Sequence, residues 1–230
     1  MNKTLAGAAV ATAGALLAVQ ASVPAQASSS STFDPTTSNP VLFVHGYTGD
    51  ASNWNTMANR FLTDGWPSSH LDKWSYDWRQ SNATTSQQLS TEVDRLLAAT
   101  GATEVDIVSH SMGGLSSRYY LKNLGGTSKV DAWVSLGGPN HGTDSANSCF
   151  DTSCTEMRIG SSFLADLNSG DETPGSLSYA TWRSPCDTVI NPDSSVSLSG
   201  AANTQTACLS HSGLLVDATV YAQTRDAINH

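Results

Sequence analysis

Val41-Leu42-Phe43-Val44 is a short, continuously apolar run that ends at His45-Gly46, the pattern of a strand buried on both faces. From about Asn53 to Leu62, the residues Trp54, Met57, Ala58, Phe61 and Leu62 fall on one helical stripe, and Gly65 supplies a stop. Trp74 to Trp78 alternates aromatic and polar side chains, which predicts a second strand. A longer helix is expected over Thr85 to Thr100, with Leu89, Val93, Leu96 and Leu97 on one face and Gly101 at its end. Val105 to Val108 reads as a third strand, Met112 to Leu124 as a helix closed by Gly125-Gly126, and Val130 to Leu136 as a fourth strand broken by Gly137-Gly138-Pro139. Ser178 to Trp182 and Ser199 to Ala202 are weaker strand candidates, and Asp217 to Ile228 predicts a closing helix. Strands alternating with helices at this spacing predict an α/β fold, a mostly parallel central sheet with helices on both faces, in a single domain over residues 40–230.

The stretch from Asn140 to Gly175 fits this scheme least. It is long and polar, and it holds two cysteines, although Met157, Ile159, Phe163, Leu164 and Leu167 are spaced to line one face of a short helix. Long insertions in compact domains are commonly functional, so the segment is expected to be either a small cap beside the site or a surface helix packed on the body.

Ahead of the predicted domain, Lys3 precedes an apolar Ala- and Leu-rich run from Leu5 to Val19, followed by Ala25-Gln26-Ala27. This is the layout of a removable secretory signal over residues 1–27, and the run is short for a membrane span. Residues 28–39, rich in Ser, Thr and Pro, read as a flexible lead-in. The mature chain is therefore expected to be extracellular and without an integral membrane segment. The net charge of −9 over the full sequence, which loss of Lys3 with the signal would make more negative still, argues against nucleic acid and anionic membrane surfaces as partners. Behind an export signal, Cys149, Cys154, Cys186 and Cys208 predict disulfides. Of three connectivities, 149–154 with 186–208 is preferred. Nothing in the pattern suggests an obligate partner, and a monomer is expected.

Ser109-His110-Ser111-Met112-Gly113-Gly114 lies between an apolar strand and a helix. At such a sharp turn the middle serine is lifted clear of the sheet, and only small residues two before and two after it let strand and helix pass closely. Ser109 and Gly113 occupy those places, with Ser109 where Gly is commonest. The helix start adds unpaired N–H groups and positive potential. Ser111 is thus the candidate nucleophile. The turn His45-Gly46-Tyr47-Thr48-Gly49 after the first strand is placed to donate a backbone N–H to an oxyanion, and Tyr47 and Met112 are the expected donors. The ring of His45 is expected to brace that turn.

A serine hydroxyl needs a base, and the base needs an orienting carboxylate. Among six histidines, His211 lies in a late loop before the last helix, where the chain order serine, acid, histidine requires it. The acid then falls between the two. Asp187 follows the strand candidate at 178–182 and is preferred over Asp193, Asp166 and Asp171. A Cys186–Cys208 bridge would hold the acid and base loops in register. A base must be neutral to act, so activity is expected to fall in acid.

In the stretches 39–49, 105–114, 134–142, 171–175, around Asp187 and from 211 to 217, the chain resembles the bacterial extracellular lipases of the α/β-hydrolase superfamily, in the small class 2 group. The resemblance implies an α/β-hydrolase fold and hydrolysis of triacylglycerols and carboxyl esters, possible at an oil–water interface, by a triad of Ser111, Asp187 and His211, with no cofactor. No carboxylate cluster suited to calcium is evident, and no metal is expected. A carboxylesterase, a phospholipase A1, a cutinase-like polyester hydrolase and an acyltransferase would use the same triad. An inactive binding protein on this fold is the rival of a different class.

Overall fold

The structure is a computed structural model, and it describes Met1 and residues 38–229. The expected export signal and nearly all of the expected lead-in lie outside the described residues. Among the described residues, six strands form one sheet in the order β2-β1-β3-β4-β5-β6, with every neighbouring pair parallel. They are β1 (Val41–Val44), β2 (Leu71–Trp74), β3 (Val105–His110), β4 (Val130–Leu136), β5 (Ser178–Arg183) and β6 (Ala202–Gln205). The helices are α1 (Asn55–Thr63), α2 (Asn82–Thr100), α3 (Gly113–Asn123), α4 (Thr152–Glu156), α5 (Ser162–Leu167) and α6 (Ala218–Ala227).

The continuous apolar run of β1 is explained by its two covered faces. Val41 and Phe43 pack with Trp54, Met57 and Phe61 of the α1 region and with Val220 and Tyr221 of α6. Leu42 and Val44 point the other way, onto Leu89, Val93 and Leu96 of α2 and Tyr120 and Leu121 of α3. Strand residues alternate faces, so a strand sandwiched between two helical layers must be apolar at every position. Each fully buried large apolar side chain contributes about 1.5–3 kcal/mol. Local signals fix the helix ends. The Ser81 side chain accepts the Thr84 N–H at the start of α2, and Gly101 closes that helix in the left-handed region at φ 75°.

Two strands differ from the sequence expectation. The edge strand β2 is Leu71–Trp74, so the aromatic alternation from Trp74 to Trp78 lies mostly beyond it. Its register with β1 runs out at Val44↔Trp74, and the following rings pack elsewhere: Tyr76 stacks on His45 at 4.1 Å and Trp78 meets Tyr47 edge-on at 4.6 Å. Period-two aromatics here serve a loop over the sheet's end. At the opposite edge, β6 begins at Ala202 and not at Ser199, because Gly200 takes φ 85° and turns the chain first. Its side chains are mostly exposed and polar, which leaves little apolar pattern to read.

The segment 140–175 folds as two short helices packed on the body. Met157, Leu164 and Leu167 bury with Met112 and Leu115, while Lys122 on α3 donates to the Leu167 carbonyl at 2.8 Å and Arg118 to the Asn168 side chain at 2.9 Å. Of the two expected arrangements, it combines both: a wall beside the site, docked on α3. The bridges join Cys149 to Cys154 and Cys186 to Cys208, the preferred connectivity.

Candidate active site

In this strand order the chain runs outward from β1 to β2 on one side and to β3 on the other. The C-terminal ends of β1 and β3 therefore border the crevice where ligands bind in open parallel sheets. Both motifs singled out in the sequence emerge there. Ser111 follows β3 at φ 55°, a left-handed conformation that costs a non-glycine residue free energy and persists where surrounding structure over-determines it. Its backbone N–H donates to the Leu136 carbonyl at 3.0 Å, and its carbonyl accepts the Gly114 N–H at 3.0 Å. The helix after it starts hard against β1. A Cβ on Gly113 would lie 2.5 Å from the backbone oxygens of Val44 and His45, a separation no side chain tolerates. Ser109 is fully buried and donates its hydroxyl to the Val134 carbonyl at 2.8 Å, so serine serves in place of glycine because β4 offers its hydroxyl a partner.

The turn after β1 faces the same point. A Cβ on Gly46 would stand 2.6 Å from the Ser111 Cβ and 3.2 Å from its Oγ, so only glycine leaves the hydroxyl open on that side. The Gly46 carbonyl accepts the Gly49 N–H at 3.1 Å and the His45 Nδ1–H at 2.8 Å. His45 Nε2 then accepts the Tyr76 N–H at 3.4 Å, and burial pushes its pKa down. The ring is thus a neutral brace, as expected. Thr48 completes the turn at φ 59°. Among the described residues, no acceptor pairs with the backbone N–H of Tyr47 or of Met112.

His211 and Asp187 meet: His211 Nδ1 lies 2.7 Å from Asp187 Oδ2. The other carboxylate oxygen accepts the N–H groups of Val189 at 2.8 Å and Ile190 at 3.0 Å. Burial pushes the Asp187 carboxyl up, but the hydrogen bond and charge of His211 and the two backbone donors outweigh it and hold the carboxyl below its usual range. A carboxylate can only accept, so Nδ1 carries the proton and the opposite nitrogen of the neutral ring is left as an acceptor. Cys186–Cys208 ties the two loops, and Ser184 reinforces the tie by donating to the Leu209 carbonyl at 2.6 Å and accepting its N–H at 2.9 Å.

Ser111, His211 and Tyr47 line one cavity of about 350 Å³, walled by Ala146 and Met157 from the 140–175 segment. Among the described residues, no lysine or arginine lines it. Of the competing acids, Asp193 pairs with Arg183 at 2.5 Å and Asp171 accepts the Thr173 N–H at 2.9 Å, whereas Asp187 is the one that meets His211. His141 bonds Glu172 at 2.7 Å and the Ser195 carbonyl at 3.1 Å. Among the described residues, no group of three or more His, Cys, Asp or Glu side chains is arranged to hold a metal ion, and no helix is long and apolar enough to cross a membrane.

His110 has a place that its sequence position did not disclose. Its Nε2–H donates to the His211 carbonyl at 3.1 Å, and the two rings stand 4.4 Å apart. Burial, with the neighbouring His211, pushes its pKa down to about 3. An unfolded histidine takes up its proton near 6.5. The unfolded chain therefore binds more protons than the folded one between those values, and stability must fall as pH drops through that window. His45 acts in the same direction. The melting temperature of the parent is expected to decline from about pH 6.5 downward more steeply than that of His110→Gln. Parallel Tm–pH curves from pH 7 to 4 would remove His110 from the account.

A turn-borne serine opening on a cavity, a preorganised backbone turn beside it and a largely buried histidine–carboxylate pair, all at the carboxyl edge of a parallel sheet, define the α/β-hydrolase fold class. Within that class the chain belongs to the class 2 lipase family, whose model matches residues 38–224. It is 32% identical over 120 residues to triacylglycerol lipases of Pseudarthrobacter phenanthrenivorans and of Burkholderia plantarii, a match covering 47% of this chain in both cases. The matched stretch spans only 35% and 31% of those two lipases' own lengths. The mature form of a Bacillus licheniformis lipase superposes with a TM-score of 0.73 at 18% identity, over 85% of this chain and 96% of that one, a likeness of fold.

Proposed function

We propose that the protein is an extracellular serine carboxyl-ester hydrolase, a triacylglycerol lipase that acts as a monomer after loss of residues 1–27 as an export signal. The observation that carries this reading is the His211–Asp187 hydrogen bond of 2.7 Å on the cavity that also holds Ser111. In the proposed mechanism His211 takes the Ser111 proton on its free ring nitrogen as Oγ attacks the ester carbonyl. Asp187 steadies the imidazolium, and the Tyr47 and Met112 N–H groups bind the oxyanion. Collapse expels the alcohol, protonated by His211, and leaves an acyl-enzyme. Water then attacks the acyl-enzyme, His211 takes its proton, and that proton returns to Ser111 Oγ as the carboxylic acid leaves. Disulfides support export.

Triacylglycerol is preferred over phospholipid because the described residues lining the cavity offer no cation to a phosphate, and because the two matched sequences are described as triacylglycerol lipases. Val189, which lines the cavity at 39% exposure, and Phe150, 84% exposed and next in sequence to the lining Cys149, are apolar side chains that suit an oil surface. A fluorophosphonate probe is expected to label Ser111 covalently. Rates compared on emulsified triacylglycerol, soluble short esters and phospholipid are expected to rank phospholipid last. Faster turnover of phospholipid would replace the lipase reading with a phospholipase, and an unlabelled protein would leave only a binding role.

A further inference from the structure

Asp151 sits on the loop closed by the Cys149–Cys154 bridge, one residue ahead of α4. An aspartate in that position ordinarily turns its carboxylate onto the first free N–H groups of the helix. Here it makes no such cap. Its Oδ2 instead accepts a short hydrogen bond from the hydroxyl of Tyr47, more than a hundred residues away in the chain. The Tyr47 ring stands edge-on against Trp78 at 4.6 Å. The Arg79 guanidinium lies 3.8 Å over the Trp78 ring and 4.0 Å from the Asp151 carboxylate. Tyrosine, carboxylate, guanidinium and indole thus close a ring around the side chain of Tyr47.

What that ring holds is a turn under strain. Thr48, β-branched, is kept at φ 59°, a conformation that survives only where neighbours over-determine it. On the inner side the Gly46 carbonyl is pinned by Gly49 and His45. On the outer side the Tyr47 hydroxyl supplies the fastening, and its partner belongs to the 140–175 wall. We infer that Asp151 is a positioning residue for the oxyanion site: through the Tyr47 hydroxyl it fixes the turn so that the Tyr47 backbone N–H points at the developing negative charge. This rests on the reading of Tyr47 as an oxyanion donor. It goes further by making the docked wall part of the catalytic geometry. Donors in an oxyanion site act through preorganisation, so a turn free to relax should lower the rate of the chemical step more than it weakens substrate binding.

The test measures kcat and KM on a soluble short-chain ester, together with the rate of fluorophosphonate labelling, for the parent, Asp151→Ala, Asp151→Asn, Tyr47→Phe and the double variant Tyr47→Phe/Asp151→Ala. Asp151→Ala and Tyr47→Phe are each expected to lower kcat and the labelling rate roughly tenfold, well short of the ~10²–10³ that follows loss of an oxyanion donor, with KM little changed. Asp151→Asn, which keeps an acceptor oxygen, is expected to recover most of the loss. The double variant is expected to be no slower than either single one, because both remove the same bond. Full kcat in Asp151→Ala, additive losses in the double variant, or a loss confined to KM would overturn the inference while leaving the hydrolase reading intact. A parent protein that the probe does not label would overturn both.

Discussion

Ser111→Ala protein is expected to fold as the parent does and to lose about 10⁶ in kcat, by analogy with loss of the nucleophile in a serine protease triad. The fold should tolerate the change because what holds the turn is backbone and not the hydroxyl: the Ser111 N–H to Leu136, the Gly114 N–H to Ser111, and the glycine at 113 that lets α3 start against β1. Alanine meets the same penalty at φ 55° that serine already meets, so the strain in the turn is unchanged. The chemistry should not tolerate it, since His211 then has no proton to take and no acyl-enzyme forms. The measurement is kcat on a soluble ester, read beside the melting temperature. Near-parent turnover by folded Ser111→Ala protein would remove Ser111 from the mechanism. A low residual rate would fit a site still able to bind the ester and stabilise an oxyanion formed by water.

How far the sequence foretold this site depended on the range of the interactions involved. Strand β1 and the turns at Gly46 and Ser111 were legible because their constraints are local: a doubly covered strand must be apolar throughout, and a sharp strand-to-helix turn admits only small neighbours. Asp187 and His211 were reached through chain order and the cysteine flanking each loop, and the structure brings the pair together at 2.7 Å. What escaped was long-range polar contact. Nothing near His110 says that its ring will bond the carbonyl of residue 211, and an aspartate ahead of a short helix reads as a cap until Tyr47 is seen to claim it. The misplaced edge strands have a related cause. An edge strand such as β6 is partly solvated and carries little apolar pattern, whereas the Trp74–Trp78 alternation was real but served rings packed on one another and against the turn after β1.

Asp187→Asn is expected to cost about 10⁴ in kcat with little loss of fold, as the same change does in a serine protease, and the hydrogen bonds around residue 187 say why. Oδ1 of Asp187 accepts from the backbone N–H groups of Val189 and Ile190, and buried donors of that kind are costly to leave unpaired. An amide introduced here must keep its carbonyl oxygen toward those two donors. Its NH₂ group is then forced toward His211, where Oδ2 of the carboxylate stood. Two donors cannot share a hydrogen bond, so the imidazole must give up its proton at Nδ1 and carry it on the other nitrogen, the one that should receive the Ser111 proton. The base would be present, correctly placed and in the wrong tautomer. Asp187→Ala should behave differently: it orphans the two backbone donors and lowers the melting temperature as well as the rate. The pair of variants therefore separates orientation from stability. If Asp187→Asn keeps kcat within tenfold of the parent, the carboxylate that serves His211 must come from elsewhere. Asp193, already paired with Arg183, would have to break that ion pair to supply it.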